Sequence, residues 1–137
     1  MKIKIICVGK IKEKYIISGI SEYSKRLSKY CNLDIIEVMD ENFIQNPNSE
    51  EIEIIKTKEE NKILKHINDK DYIISLALTG KQLTSEELAD NINHLTITGY
   101  STITFIIGGS YGLSRKYIEK IKHAFKLFQI NISTSII

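Results

Sequence analysis

The sequence predicts an α/β fold, a mostly parallel sheet with helices on both faces. Three observations carry this expectation. Short apolar runs alternate with segments of helical periodicity in the order β-α-β-α-β-α-β-α. The later runs are apolar almost throughout, as strands covered on both faces must be. Residues that turn the chain or cap helices fall between the runs.

Each element has its own reason. Residues 2–8, KIKIICV, form the opening strand, which Gly9 ends. Residues 13–30 carry Ile16, Ile20, Tyr23, Leu27 and Tyr30 at spacings of four and three, with Lys12, Lys25, Arg26 and Lys29 on the other side, which predicts an amphipathic helix. LDIIEVM, residues 33–39, is a second strand. A polar loop with the single proline, Pro47, follows. Ser49 is a candidate N-cap, with Glu50, Glu51 and Glu53 suited to a helix start. That helix is expected to run to about Ile67, its stripe being Ile52, Ile55, Ile63 and Ile67. YIISLAL, residues 72–78, is a third strand, followed by the loop Thr79-Gly80-Lys81-Gln82. Thr84 or Ser85 caps a helix to about Leu95, and TITFII, residues 102–107, is a fourth strand. Gly108-Gly109-Ser110-Tyr111-Gly112 then leads into a helix carrying Leu113, Tyr117, Ile121 and Ala124.

A chain of 137 residues, 42% hydrophobic, is one domain's worth and needs no disulfide or metal staple. With 26% charged residues and few Gly or Pro it is neither disordered nor low-complexity. No apolar run approaches the roughly 20 residues of a membrane helix, and the N-terminus lacks a signal-peptide cleavage pattern. Cys7 and Cys31 have no metal-ligand spacing, so two reduced core cysteines in a cytoplasmic protein are expected. The net charge of +2 is unevenly spread: residues 1–30 carry eight basic and two acidic groups, residues 31–108 six and fourteen, residues 109–137 five and one. Basic ends can attract a polyanion or can be solvated helix faces. The 28 Ile against two Val and three Ala point to AT-rich codons rather than to a physical need.

Ligands of such sheets bind at the carboxyl ends of strands, which singles out residues 78–82 and 108–112. The glycine loop permits close backbone approach before a helix N-terminus, but it also suits an ordinary turn. Gly108-x-Ser110-x-Gly112 matches a nucleophile elbow. A hydrolase then needs an acid and a histidine later in the chain. Only Glu119 and His123 follow, four apart on one helix and unable to flank Ser110 together, while His66 and His94 come too early. Dinucleotide, P-loop and metalloprotease motifs are absent.

Three segments, MKIKIICVGKIKEKYIISGISEYSKRLSKY, IISLALTGKQLTSEELA and ITFIIGGSYGL, resemble in order the ribosomal RNA large subunit methyltransferase H family of SPOUT trefoil-knot enzymes, in register over residues 1–126. The resemblance implies a homodimer that uses S-adenosyl-L-methionine to methylate N3 of a pseudouridine in 23S rRNA on the assembled ribosome. Leu76 matches a cofactor-contacting position before the GK loop, and Gly108, with Gly109 beside it, the one in the glycine loop. An adenine needs apolar walls and a few backbone hydrogen bonds, which these residues can supply. Lys10, Lys12 and Lys14 suit rRNA phosphates. No residue is a convincing base for the N3 proton, His123 being the nearest by position. A non-catalytic rRNA-binding remnant and an unrelated nucleotide-binding α/β protein are the alternatives. Cofactor calorimetry separates the first from the enzyme, and adenine-nucleotide binding without ribosome preference marks the second.

The resemblance stops near Leu127, so residues 127–137 are expected to be an aberrant tail after the methyltransferase domain of residues 1–126. Residues 131–137, back-translated as AAC ATT TCC ACA TCA ATT AT and read one base later, give ACA TTT CCA CAT CAA TTA, the family's T-F-P-H-Q-L segment. A frameshift just before Asn131 is therefore expected. It would leave the knot-closing strand and helix missing, and the 137-residue chain unable to dimerise properly or to methylate. Nucleotide sequencing checks this: the shifted frame should continue into a basic helix and a tyrosine-bearing tail. A frame that does not, or tight S-adenosylmethionine binding by this chain, contradicts it.

Overall fold

In the computed structural model, which describes residues 1–41, 45–81, 83–109, 111–113 and 128–130, five strands form one all-parallel sheet. The elements are β1 (Lys2–Val8), α1 (Lys14–Leu27), β2 (Asn32–Val38), α2 (Ser49–Leu64), β3 (Tyr72–Lys81), α3 (Ser85–Ile97), β4 (Thr102–Ile107) and β5 (Phe128–Ile130). Strand order is β2-β1-β4-β3-β5. The α/β class, the parallel sheet and the alternation follow the sequence expectation. The fourth helix expected after Gly112, with Glu119 and His123, lies outside the described residues, as does Ser110.

Register sorts the side chains into two layers. Ile6 pairs with Ile36 and Ile106, and Ile73 with Thr104, so even positions of β1 and β4 share a face with Ile73. There Ile6, Ile73 and Ile106 pack with Val38 and with Ile63 of α2. The opposite face carries Tyr72, Ile74 and Ile103 against Leu95 of α3, with Ile92 and Tyr100 alongside. Helices therefore cover both faces. Each buried isoleucine contributes about 1.5–3 kcal/mol.

Several local expectations are corrected. α2 is capped by Asn48, whose Oδ1 accepts from Glu51 N at 2.9 Å, rather than by Ser49. It ends at Leu64, before Ile67. α3 does use Thr84, in a reciprocal capping box with Glu87. α1 ends at Leu27 rather than Tyr30, and it buries none of its residues: Tyr23 is 66% and Leu27 42% exposed, and Tyr30, in the turn beyond, 82%. It contacts β2 at the sheet edge, where an open cavity of about 750 Å³ lies between Ser24, Ser28, Leu33 and Ile35. Cys7 and Cys31 are free and half-buried rather than core. β5 extends the sheet beside β3, with Leu76 paired to Ile130, in a segment where no strand was expected.

One polar cluster lies inside the apolar layer. Lys4 Nζ is 2.7 Å from Asp71 Oδ2, and both side chains are at least 95% buried. The same ammonium donates to His66 O at 2.7 Å. Asp71 Oδ2 also accepts from Thr104 Oγ1 and from Asn68 N, each at 3.1 Å. The pair thus joins the middle of β1, the middle of β4, the start of β3 and the turn after α2. Removing one partner of a buried pair strands the other charge and costs about 3–5 kcal/mol. Asp71→Ala is accordingly expected to lower urea stability by about that amount. The double variant Lys4→Met, Asp71→Leu should recover most of the loss, because no charge is then buried.

Candidate functional site

The strand order defines where a ligand can sit. From β1 the chain crosses to β2 on one side, whereas from β4 it reaches β5 on the far side of β3. Connections that leave in opposite directions open a crevice above the carboxyl ends of β1 and β4. At that place stand Gly9, residues 108–112 and, one strand further, Leu76.

The register brings the expected cofactor residues together. Leu76 pairs with Ile107, and Gly108 follows at once. Leu76 is half-buried and packs at the margin of the Tyr72–Leu95 cluster, so it offers an apolar wall beside the loop. Gly109 and Gly112 fold back on each other: Gly112 N donates to Gly109 O at 2.9 Å, and Gly112 has φ +73°. A Cβ on Gly108 would stand 2.9 Å from the Gly112 carbonyl carbon. The turn's own packing therefore requires a glycine there. Lys10, Lys12 and Lys14 are exposed just beyond Gly9, at the same edge of the sheet.

Gly109 shows a residue that the sequence reading missed. A Cβ there would lie 2.7 Å from Glu59 Oε1 and 3.1 Å from Val8 Cγ1. Glu59 comes up from α2 and is only 4% exposed. Its Oε2 accepts from Glu41 N at 3.1 Å, whereas Oε1 has no hydrogen-bond partner among the described residues. Burial, with Asp40 and Glu41 nearby, pushes the Glu59 carboxyl above the usual range, against the opposing backbone hydrogen bond and Lys62. Lys62 is itself held by Glu41 at 2.8 Å and by Met39 O at 2.9 Å, and it draws the Glu41 carboxyl below its ordinary value. A signal for Glu59 was present in the sequence. The stripe Ile52, Ile55, Ile63, Ile67 leaves one position empty, and Glu59 fills it.

The site therefore has an apolar wall, a tight glycine turn and an orphaned buried carboxylate oxygen along one edge. Leu76 and Val8 lie two inter-strand spacings apart, about 10 Å. That combination fits an elongated ligand with an apolar end and a cationic or donor-bearing end. Among the described residues no group of His, Cys, Asp and Glu could hold a metal ion.

The glycine turn makes a direct prediction. Gly108→Ala should lower stability by about 1–3 kcal/mol in urea denaturation, since the obstacle is backbone that cannot step aside. Gly19→Ala, in the middle of α1 with open space around its Cβ position, should instead raise it by about 0.5–1 kcal/mol.

Comparison with known proteins gives the family. A family profile described as "Predicted SPOUT methyltransferase" matches residues 1–135, beyond the span over which the sequence motifs were recognised. Over 123 residues the chain is 54% identical to the Ribosomal RNA large subunit methyltransferase H of Clostridium botulinum strain Hall, covering 90% of this chain and 77% of the relative. The protein of the same name from Streptococcus uberis is 54% identical over 120 residues, 88% of this chain and 76% of the relative. On these grounds the chain belongs to the ribosomal RNA large subunit methyltransferase H family, among the SPOUT methyltransferases.

Proposed function

We propose that the chain is built for methyl transfer from S-adenosyl-L-methionine to N3 of a pseudouridine in 23S rRNA, on the assembled ribosome and as a homodimer. The observation that carries this reading is the meeting of Leu76, Gly108 and Gly109 at the switch point between β1 and β4, in a chain of this family. S-adenosylmethionine, when bound, supplies an electrophilic methyl group on a sulfonium. Leu76 would wall the adenine, and the Gly108 and Gly109 backbone amides would offer it hydrogen bonds. Lys10, Lys12 and Lys14 lie at the same edge and hold rRNA phosphates, which positions the acceptor base without reading its identity. Bringing the acceptor nitrogen into line with the methyl group supplies much of the rate. The family motifs span residues 1–126, Phe128–Ile130 adds a strand to the same sheet, and the chain departs from the family pattern through a change of reading frame before Asn131.

Ribosomes lacking the modification, incubated with labelled S-adenosylmethionine, test the reading. The product of the restored frame should place one methyl on N3 of a 23S rRNA pseudouridine, located by nuclease digestion and mass spectrometry. The 137-residue chain should transfer far less. The triple variant Lys10→Glu, Lys12→Glu, Lys14→Glu should weaken ribosome binding and flatten its salt dependence, because three phosphate contacts are lost. Label on protein or small molecules instead of rRNA overturns the reading.

A further inference from the structure

Glu59 is the buried group that the fold itself does not explain. A carboxylate is rarely buried unless paired, and an unmade hydrogen bond to a buried acceptor is costly. The ion pair between Lys4 and Asp71 shows how this chain stabilises a buried charge elsewhere: a cation at 2.7 Å and two further donors. Among the described residues, Glu59 has one backbone donor on Oε2 and none on Oε1. The charged groups that face it from neighbouring elements are Asp40 and Glu41 after β2 and Lys62 on its own helix, and Lys62 is already engaged by Glu41 and Met39 O. The local field therefore calls for a positive charge. The unsatisfied oxygen is aimed at Gly109, in the loop above the β1/β4 crevice.

Position selects the kind of group that would meet it. Leu76, the apolar wall, stands on β3, and Gly109 with Val8 and Glu59 stands toward β1. With its base at Leu76, an adenosyl donor would be long enough for its methionyl arm, with the sulfonium and the α-ammonium, to reach the β1 side about 10 Å away. We propose that Glu59 Oε1 receives the cationic methionyl end of S-adenosylmethionine, making Glu59 a cofactor-binding residue beside the glycine loop. The assignment rests on the methyltransferase reading above. Gly109 is fixed by the carboxylate itself, since a Cβ there would lie 2.7 Å from Oε1.

The test compares the 137-residue chain with Glu59→Gln, which keeps shape and removes charge. Thermal unfolding is followed without ligand, and with S-adenosylmethionine or 5′-methylthioadenosine at concentrations high enough to fill weak sites. The latter keeps the adenosine but lacks the amino-acid arm and the positive charge. Without ligand, the variant should melt at or above the wild-type temperature, since an uncompensated charge has gone from the interior. A lower melting temperature marks Glu59 as a structural support and overturns the proposal. With ligand, Glu59→Gln should bind S-adenosylmethionine about tenfold more weakly, the loss expected for one charge-assisted hydrogen bond, and 5′-methylthioadenosine unchanged. Equal weakening of both ligands, or of neither, overturns the assignment while the methyltransferase reading stands. A wild-type chain that responds to neither ligand fails the cofactor reading itself for this chain, and the assignment falls with it.

Discussion

The sheet is organised around a buried ion pair. Lys4 and Asp71 are 67 positions apart in sequence, yet they meet at 2.7 Å with almost no solvent contact. Thr104, Asn68 N and His66 O complete the cluster. Three parallel strands and the turn after α2 are thereby held in one register. A slip by one residue would turn Lys4 to the other face and leave Asp71 unpaired inside an apolar layer. The pair thus acts on specificity, because its partner strands have few other polar marks to align them.

The functional edge depends on that register. With β1 and β4 aligned, Val8 and Gly109 come together above the crevice, and Leu76 stands beside Ile107 on the next strand. The connection from α2 to β3 runs through the same polar cluster, so α2 is seated at the height that brings Glu59 under the loop. Stability and site geometry are in this way joined through one helix: Ile55 and Ile63 bury its apolar stripe, and Glu59 lies between them. A carboxylate in that place weakens the packing it belongs to, which is the usual sign of a residue retained for a ligand.

Much of the fold was legible because strand and helix periods leave clear marks. TITFII and YIISLAL are apolar runs of strand length, and Thr84 with Glu87 spells out a helix start. Of the two loops singled out, the first was misplaced, because β3 continues to Lys81 through Thr79 and Gly80, whereas Gly108 and Gly109 do follow the end of β4. The stripe of α1 misled, because periodicity reports that a face is apolar and says nothing about what covers it. Tyr23, Leu27 and Tyr30 carry the pattern and remain largely exposed. Lys4 misled in the opposite sense. It reads as a break in an apolar strand, whereas it is one of the most buried side chains in the protein.

The sequence by itself determined the class of fold, the order of the first four strands and the helices between them, the Thr84 capping box and the family, because each is written in local spacing or contiguous motifs. Tertiary structure decided what depends on residues far apart in the chain. It decided that Lys4 and Asp71 neutralise each other, that β1 and β4 flank the crevice, and that Glu59 and Glu60 are the acids of α2 turned inward, with Glu59 beneath Gly109. The reason is physical. Burial and pairing are properties of the space a side chain enters, and that space is formed by strands brought together only when the sheet assembles.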